Sequence, residues 1–259
     1  MLTETWLDDS ISSSDIFPSS LFSVISRADR DLGKYGGLLF AYNSSLNLQL
    51  HDISNPEQNF TVACVVDHPT AGSLLLIVVY NPPVISHYHI PEASLVTHIC
   101  YCVSAFKGLR RIASNEQNII ILGDFNCPGR NWSTSILSVD TPLNECFFDL
   151  NLLQCLDEPT HVRGNTLDLV FSQRPIDCWV SPIGLSDHFS IQFLLASGTD
   201  SIVTLLLQIV FLLSLVIVLM RKLLNFILVI CIIMFSLLIQ DPILFLSGST
   251  GSMLSAPEA

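Results

Sequence analysis

Short apolar runs, each bounded by turn-forming residues, are the dominant pattern of the first 195 residues. They are rich in Ile, Val, Leu and Phe and flanked by Gly, Pro, Asn or Asp, which is typical of β-strands. The runs cover residues 36–42, 60–66, 73–80, 118–125, 166–172 and 189–195. Because they do not alternate strictly between apolar and polar positions, we expect sheets that are covered on both faces.

Two segments between these runs have the spacing of helices. Apolar residues recur every three or four positions between Pro91 and Ala113, which predicts an amphipathic helix. A second helix is predicted to begin at Thr141, a good N-cap residue, with Pro142 in its first turn. Helices alternating with apolar strands predict an α/β fold for this part of the chain.

The pattern changes at residues 202–239, where two apolar runs are separated only by Arg221 and Lys222. About 20 apolar residues in a helix span a bilayer, and a helix of a soluble core would show a polar face, which these runs lack. We therefore predict one or two transmembrane-type helices here. Translated non-coding sequence rich in T and A would give similar runs, and the pattern alone does not separate the two origins.

These patterns divide the chain into a domain of residues 1–199, a hydrophobic membrane-type segment of residues 200–240 and a short tail of residues 241–259. Insertion of the apolar segment predicts a membrane location. Without insertion, a nuclear or cytosolic location is expected, because the eight cysteines form no CxxC pair and are typical of buried, reduced thiols rather than of disulfides or a zinc site.

The charge balance limits what the protein binds. The net charge is −12, almost all of it in residues 1–199, which excludes a nucleic-acid binder that relies on a basic surface. It leaves open an enzyme that brings metal ions to a phosphate. The high mean hydropathy of +0.54 comes mainly from residues 202–239 and does not describe the front domain.

Polar residues stand at the ends of several predicted strands. Asp124 and Asn126 follow the apolar run 118–122, and two residues that are two apart at a strand exit point to the same side. Tyr80 ends the run before Asn81. Each has an ordinary structural explanation when taken alone, as a turn residue or an aromatic residue at a sheet edge.

Asp168 is harder to explain structurally, because it lies inside an apolar run and a lone buried carboxylate is costly unless it is paired. A histidine is its natural partner, since an Asp–His pair fixes the imidazole tautomer and supports its positive charge. Asp187 and His188 directly precede the last strand of the domain, and Glu4 lies in the N-terminal stretch LTETWL.

In this order, the motifs resemble the endonuclease/exonuclease/phosphatase superfamily, whose DNase I-like fold is a four-layer α+β sandwich. The stretches LTETWL, SRADRDLGKYGG, YNPP, ILGDFN, PTHVRGNTLDLVFS and LSDH are similar to the endonuclease domain of LINE-type non-LTR retrotransposons. The resemblance covers about residues 2–196. It implies a metal-dependent phosphodiesterase that acts on DNA with Mg²⁺, or Mn²⁺ in its place.

The resemblance also implies a role for seven side chains around one metal–phosphate site. Glu4 would bind the metal, and Asp187 would bind the metal or protonate the leaving group. Asp124 would activate the water, while Asn126 would hydrogen-bond the phosphate and orient the site, and Tyr80 would contact the phosphate or the leaving oxygen. His188, supported by Asp168, would stabilise the charge on the phosphoryl oxygens.

The sequence departs from this family at both ends. The family's first strand carries a metal- and phosphate-binding Asn before the ETWL motif, and Met1 stands only two residues before Thr3, so an N-terminally truncated domain with weak or no catalysis is expected. The apolar segment stands where a retrotransposon continues into a reverse transcriptase. Two alternatives remain open, namely a membrane-anchored non-catalytic module and a membrane-anchored phosphatase or phospholipid phosphodiesterase.

Overall fold

A computed structural model of the chain describes residues 2–3, 5, 7–17, 19–29, 36–44, 49–55, 60–68, 72–83, 89–110, 118–128, 130, 132, 141–182, 186–195 and 205–209. The chain divides into a unit of residues Met1–Leu215 and a unit of residues Val216–Ala259. All described residues belong to the first unit.

The described elements are twelve strands and three helices. In chain order they are β1 (Leu2–Thr3), α1 (Ser13–Ile16), β2 (Phe22–Ala28), β3 (Leu38–Asn43), β4 (Gln49–Asp52), β5 (Thr61–His68), β6 (Gly72–Tyr80), α2 (Glu92–Arg110), β7 (Asn118–Asp124), α3 (Pro142–Asp149), β8 (Leu153–Gln154), β9 (Asp168–Ser172), β10 (Cys178–Ser181), β11 (Ser190–Leu195) and β12 (Leu205–Ile209).

A six-stranded sheet with the order β4-β5-β6-β7-β9-β8 forms the centre. Its strands are antiparallel except for β6 and β7. Parallel neighbours need a crossover connection, and the 19-residue helix α2 lies in the segment that joins them. Two antiparallel three-stranded sheets, β1-β3-β2 and β10-β11-β12, complete the strand content.

The central sheet is buried on both faces, as its continuous apolar strands predicted. One face packs against α2 and α3, and the other packs against the two small sheets through residues such as Phe40 and Phe193. Successive residues of β6 alternate between the two cores, with Ile77 facing the helices and Val78 facing the small sheets. A further apolar cluster joins Leu39 of β3 to the α1 segment. The predicted mixed α/β fold is confirmed.

Both predicted helices are present. The helix expected between Pro91 and Ala113 is α2, and the second is α3, where the Thr141 hydroxyl accepts a hydrogen bond from the backbone N–H of Asn144 at 3.3 Å. Strands β2 and β10 were not predicted from the sequence. Most of their described side chains are only half-buried, so they lack the long apolar runs that marked the central strands.

The prediction of a helix throughout residues 202–239 is wrong at residues 205–209, which form strand β12. This strand pairs with β11 from Leu195↔Leu205 to Ile191↔Ile209. Hydropathy reports that a run is apolar, but an apolar run without periodicity suits a covered strand as well as a helix. No helix in the described part of the chain is both long and apolar enough to cross a membrane. Residues 210–239 lie outside the described residues.

Candidate active site

Three of the predicted site residues form one row across the central sheet. Tyr80 pairs with Asp124 between the parallel strands β6 and β7, and Asp124 pairs with Asp168 between the antiparallel strands β7 and β9. Directly paired residues project to the same face of a sheet, and Tyr80 belongs to the core that faces the small sheets. All three side chains are buried. The row therefore lies between the sheet layers, at one end of the sheet.

Gly123 allows β6 and β7 to approach each other just before this row. Its φ of +134° is rarely adopted by residues with a side chain, and a Cβ there would lie 1.9 Å from the carbonyl oxygen of Val79. Only glycine fits such a contact with backbone. The glycine of the ILGDFN stretch is thus required by the sheet itself and places Asp124 at the strand exit.

Asn126 holds the Asp124 carboxylate at both oxygens. Its backbone N–H donates to Oδ1 at 2.9 Å and its Nδ2 donates to Oδ2 at 2.7 Å. The second Nδ2 hydrogen is directed to the carbonyl oxygen of Asn81 at 2.8 Å. Asn126 has a φ of +48°, which asparagine tolerates better than most residues. Because both amide hydrogens are engaged, this arrangement favours orientation of Asp124 over a direct hydrogen bond to phosphate.

Asp168 pairs with His188; its place inside an apolar run predicted a histidine partner, and the family resemblance implied that this partner is His188. His188 Nδ1 lies 2.8 Å from Asp168 Oδ2, and both side chains are buried. The backbone N–H groups of Leu167 and Asp168 both donate to the hydroxyl oxygen of Thr160 at 3.0 Å. Burial raises the pKa of Asp168, while the hydrogen bond and charge of His188 and a smaller effect of Thr160 oppose the rise.

Asp187 lies at the open side of the site, with 65% of its side chain exposed. Its Oδ2 is 3.2 Å from Nε2 of His161. Partial burial raises the pKa of Asp187, but the charge of His188, the hydrogen bond of His161 and a backbone hydrogen bond outweigh it, so the pKa is lowered. The carboxylate is therefore ionised at neutral pH.

His161 was not among the predicted site residues. It is buried, pairs with His188 in an isolated β-bridge, and its ring lies edge-on to the His188 ring with centroids 5.0 Å apart. The only signal in the sequence was its place in the PTHVRGNTLDLVFS stretch, seven residues before Asp168. The predicted metal ligand Glu4 lies outside the described residues.

Among the residues that the structure describes, two groups of side chains are close enough to hold a metal ion. Potential ligand atoms of Asp124, Asp168 and His188 lie within 4.8 Å of one another, and the same is true of His161, Asp187 and His188. The first group contains two carboxylates, Asp124 and Asp168, which concentrate negative charge, and carboxylate oxygen is the preferred ligand of Mg²⁺ and Mn²⁺. The donor set therefore fits a hard divalent cation better than a thiolate-binding metal.

A polar cleft of about 980 Å³ is separate from these residues. It is lined by serines and aspartates and by Arg27, whose Nε donates to Asp29 Oδ1 at 2.7 Å and whose Nη1 donates to the carbonyl oxygen of Ile11. This guanidinium is already paired with a carboxylate. The described lining of the cleft includes none of the predicted site residues, and Arg27 offers an anion no unpaired charge.

A family model described as "Endonuclease-reverse transcriptase" matches residues 74–192, a range that contains the whole row from Tyr80 to Asp168 and also His188. None of the curated proteins matches the chain.

Several solved structures resemble the chain at low sequence identity. The endonuclease domain of TRAS1, a telomere-specific non-LTR retrotransposon, is 19% identical, with 66% of this chain and 77% of that one covered and a TM-score of 0.47. The 3′ phosphatase NExo from Neisseria, bound to a product DNA hairpin, is 15% identical, with coverage of 73% and 85% and a TM-score of 0.47. The catalytic domain of APE2 from Xenopus laevis is 16% identical, with coverage of 73% and 80% and a TM-score of 0.42.

Proposed function

This chain belongs to the endonuclease/exonuclease/phosphatase superfamily, and from that premise we propose that it is a divalent-metal-dependent phosphodiesterase of the retrotransposon endonuclease type, with DNA as its substrate. The observation that carries the proposal is the buried row of Tyr80, Asp124 and Asp168, with His188 bound to Asp168. A purely structural sheet end has no need for two buried carboxylates side by side.

Asp124 is the group best placed to activate the attacking water. Asn126 fixes both of its oxygens, so the carboxylate keeps one orientation without reorganising during the reaction. As the water oxygen attacks phosphorus, its proton passes to Asp124, the bond from phosphorus to the leaving oxygen breaks, and that oxygen takes up a proton from solvent. Such general-base catalysis is worth about 10²–10⁴-fold in rate.

His188 is the group best suited to stabilise the phosphoryl oxygens. Its Nδ1 is held by Asp168 at 2.8 Å, which supports a positive imidazolium at the site where negative charge develops. The position of Tyr80 in the same row supports a contact with the phosphate or the leaving oxygen. These groups provide favourable contacts with the phosphate at the site itself, which a chain of net negative charge does not provide through a basic surface.

Asp187 is better suited to hold a cation than to protonate a leaving group, because its pKa is lowered and a weakly basic carboxylate is rarely protonated at neutral pH. Together with Glu4, which the family resemblance implies as a metal ligand, it would hold a divalent ion. When bound, such an ion supplies positive charge to the phosphate oxygens.

Nicking of supercoiled plasmid DNA tests this function. The protein is incubated with Mg²⁺, with Mn²⁺ and with EDTA, and a short-chain phosphoinositide is offered as a second substrate. Conversion of plasmid to the open circle only with a metal ion supports the proposal. Turnover of the phosphoinositide without nicking would favour a phospholipid phosphodiesterase, and no turnover of either would favour a non-catalytic module.

A further inference from the structure

His161 stands beside the proposed site without a role in it. It is buried, its Nε2 lies 3.2 Å from Oδ2 of Asp187, and its Nδ1 lies 3.1 Å from the backbone nitrogen of Arg163. We propose that His161 is a positioning residue, which holds the Asp187 carboxylate at the site as a donor fixed in one tautomer.

The two contacts of the ring agree on that tautomer. A backbone N–H can only donate, so Nδ1 of His161 accepts from Arg163. A neutral imidazole carries one N–H, which must therefore be on Nε2, where it points to an ionised carboxylate that can only accept. The backbone of the turn sets the tautomer, and the tautomer makes Nε2 a donor to Asp187.

The contact of His161 with the backbone of Arg163 also excludes His161 from the metal ligands. A neutral histidine binds a metal through its unprotonated nitrogen, and in His161 that nitrogen is Nδ1, which is engaged by Arg163. The cluster of His161, Asp187 and His188 is therefore not a three-ligand metal site. His161 orients the carboxylate of Asp187, and Asp187 would bind the cation.

Backbone hydrogen bonds hold the turn that carries His161 against the segment that carries Asp187 and His188. Val162 donates to the carbonyl oxygen of Asp187 at 2.8 Å, and Phe189 donates to the carbonyl oxygen of Thr160 at 2.7 Å. These bonds lie on either side of the bridge between His161 and His188. Because the Asp187 side chain is mostly exposed, a fixed donor reduces the rotamer freedom that binding would otherwise have to remove.

Three substitutions separate a role toward Asp187 from a role in the turn. His161→Gln keeps an N–H donor near the position of Nε2 but loses the acceptor for Arg163. His161→Asn keeps an acceptor near Nδ1 but is too short to reach Asp187, and His161→Leu keeps neither. Thermal unfolding of each variant reports its folding, so that activity is compared only between folded proteins.

The expected effect of these substitutions on catalysis rests on the proposed function. It is measured as the rate of plasmid nicking and as the affinity for Mn²⁺, the latter by electron paramagnetic resonance. We expect His161→Gln to stay within a few-fold of wild type, and His161→Asn and His161→Leu to lose about 10–100-fold in both measurements, the range typical of groups that orient metal ligands. The reverse order, with His161→Asn retained and His161→Gln lost, would show that the histidine serves only the turn.

The tautomer is tested without any activity. In a long-range ¹H–¹⁵N correlation spectrum at neutral pH, with His161→Gln used to assign the signals, His161 should carry its proton on Nε2. A proton on Nδ1 would overturn the inference. If wild type neither nicks DNA nor binds Mn²⁺, the proposed function and the catalytic consequence both fail, whereas the spectrum still decides whether His161 is the fixed donor.

Discussion

Asp124 and Asp168 lie directly opposite each other on neighbouring strands, and both carboxyl groups are fully buried. Two like charges at such a short separation repel each other strongly in a low-dielectric interior. Asn126 offsets the charge of Asp124 by donating to it twice, and His188 offsets the charge of Asp168. The pair nevertheless concentrates negative charge at one end of the sheet, and a cation there would relieve it.

Divalent cations should therefore stabilise the folded protein. A ligand that binds only the native state at 100 times its Kd adds about 2.7 kcal/mol, which raises the Tm of a domain of this size by several degrees. Differential scanning fluorimetry with Mg²⁺, Mn²⁺ and EDTA measures the shift. Asp124→Asn should reduce the shift, and Asp149→Asn, at an exposed position at the end of α3, should leave it intact. A metal response that is equal in all three proteins would contradict the site.

Replacing Asn126 by aspartate should impair nicking more than folding. The substitution removes the two side-chain donors and places a second carboxylate beside Asp124, so we expect a loss of roughly 100-fold in nicking rate. Asn151→Asp is the matched control, because Asn151 is also an asparagine with positive φ but lies on an exposed turn. Equal nicking rates for the two variants would argue against orientation of Asp124 by Asn126.

Gly123→Ala should destabilise the fold strongly. The added methyl would meet the backbone of Val79 at 1.9 Å, and strands of the central sheet cannot separate there without breaking the row, so a loss of at least about 3 kcal/mol is expected. Gly164→Ala is the control. Its φ is +83° with open space around it, so only backbone strain of about 1 kcal/mol is expected. Urea unfolding measures both, and similar midpoints would contradict the predicted clash.

His98 should make stability fall as the pH drops below neutral. Burial lowers its pKa from 6.5 to about 4, so between these values the unfolded chain binds the proton more readily than the folded one. The resulting loss is about 2 kcal/mol at pH 5. In urea unfolding at pH 7 and pH 5, His98→Gln should show a smaller pH dependence than wild type. An unchanged dependence would show that His98 is not the residue responsible.

The central part of the fold could be predicted because its strands are continuous apolar runs, and a sheet covered on both faces requires such runs. That Asp168 pairs with a histidine followed from the cost of burying a lone carboxylate, and the family resemblance identified this histidine as His188. His161 could not be found in this way. Its partner Asp187 is 26 positions away along the chain, and a histidine in a turn carries no periodic signal.

In the apolar segment, a clear signal in the sequence led to the wrong conformation for residues 205–209. Its hydropathy was clear, but hydropathy does not specify conformation, and at Leu205 to Ile209 the chain pairs with the edge of β11 as a strand. Pairing across a sheet joins positions that are distant along the chain, so it depends on an edge that the local sequence does not show.

The most direct test of the proposed site compares the metal-dependent plasmid-nicking rates of wild type, Asp124→Asn, His188→Gln and Asp149→Asn in one assay. We expect wild type and Asp149→Asn to nick at the same rate, and Asp124→Asn and His188→Gln to lose at least about 100-fold. Equal nicking by all four proteins would overturn the proposed site, because the DNA would then be cleaved without the two residues on which the proposed chemistry depends.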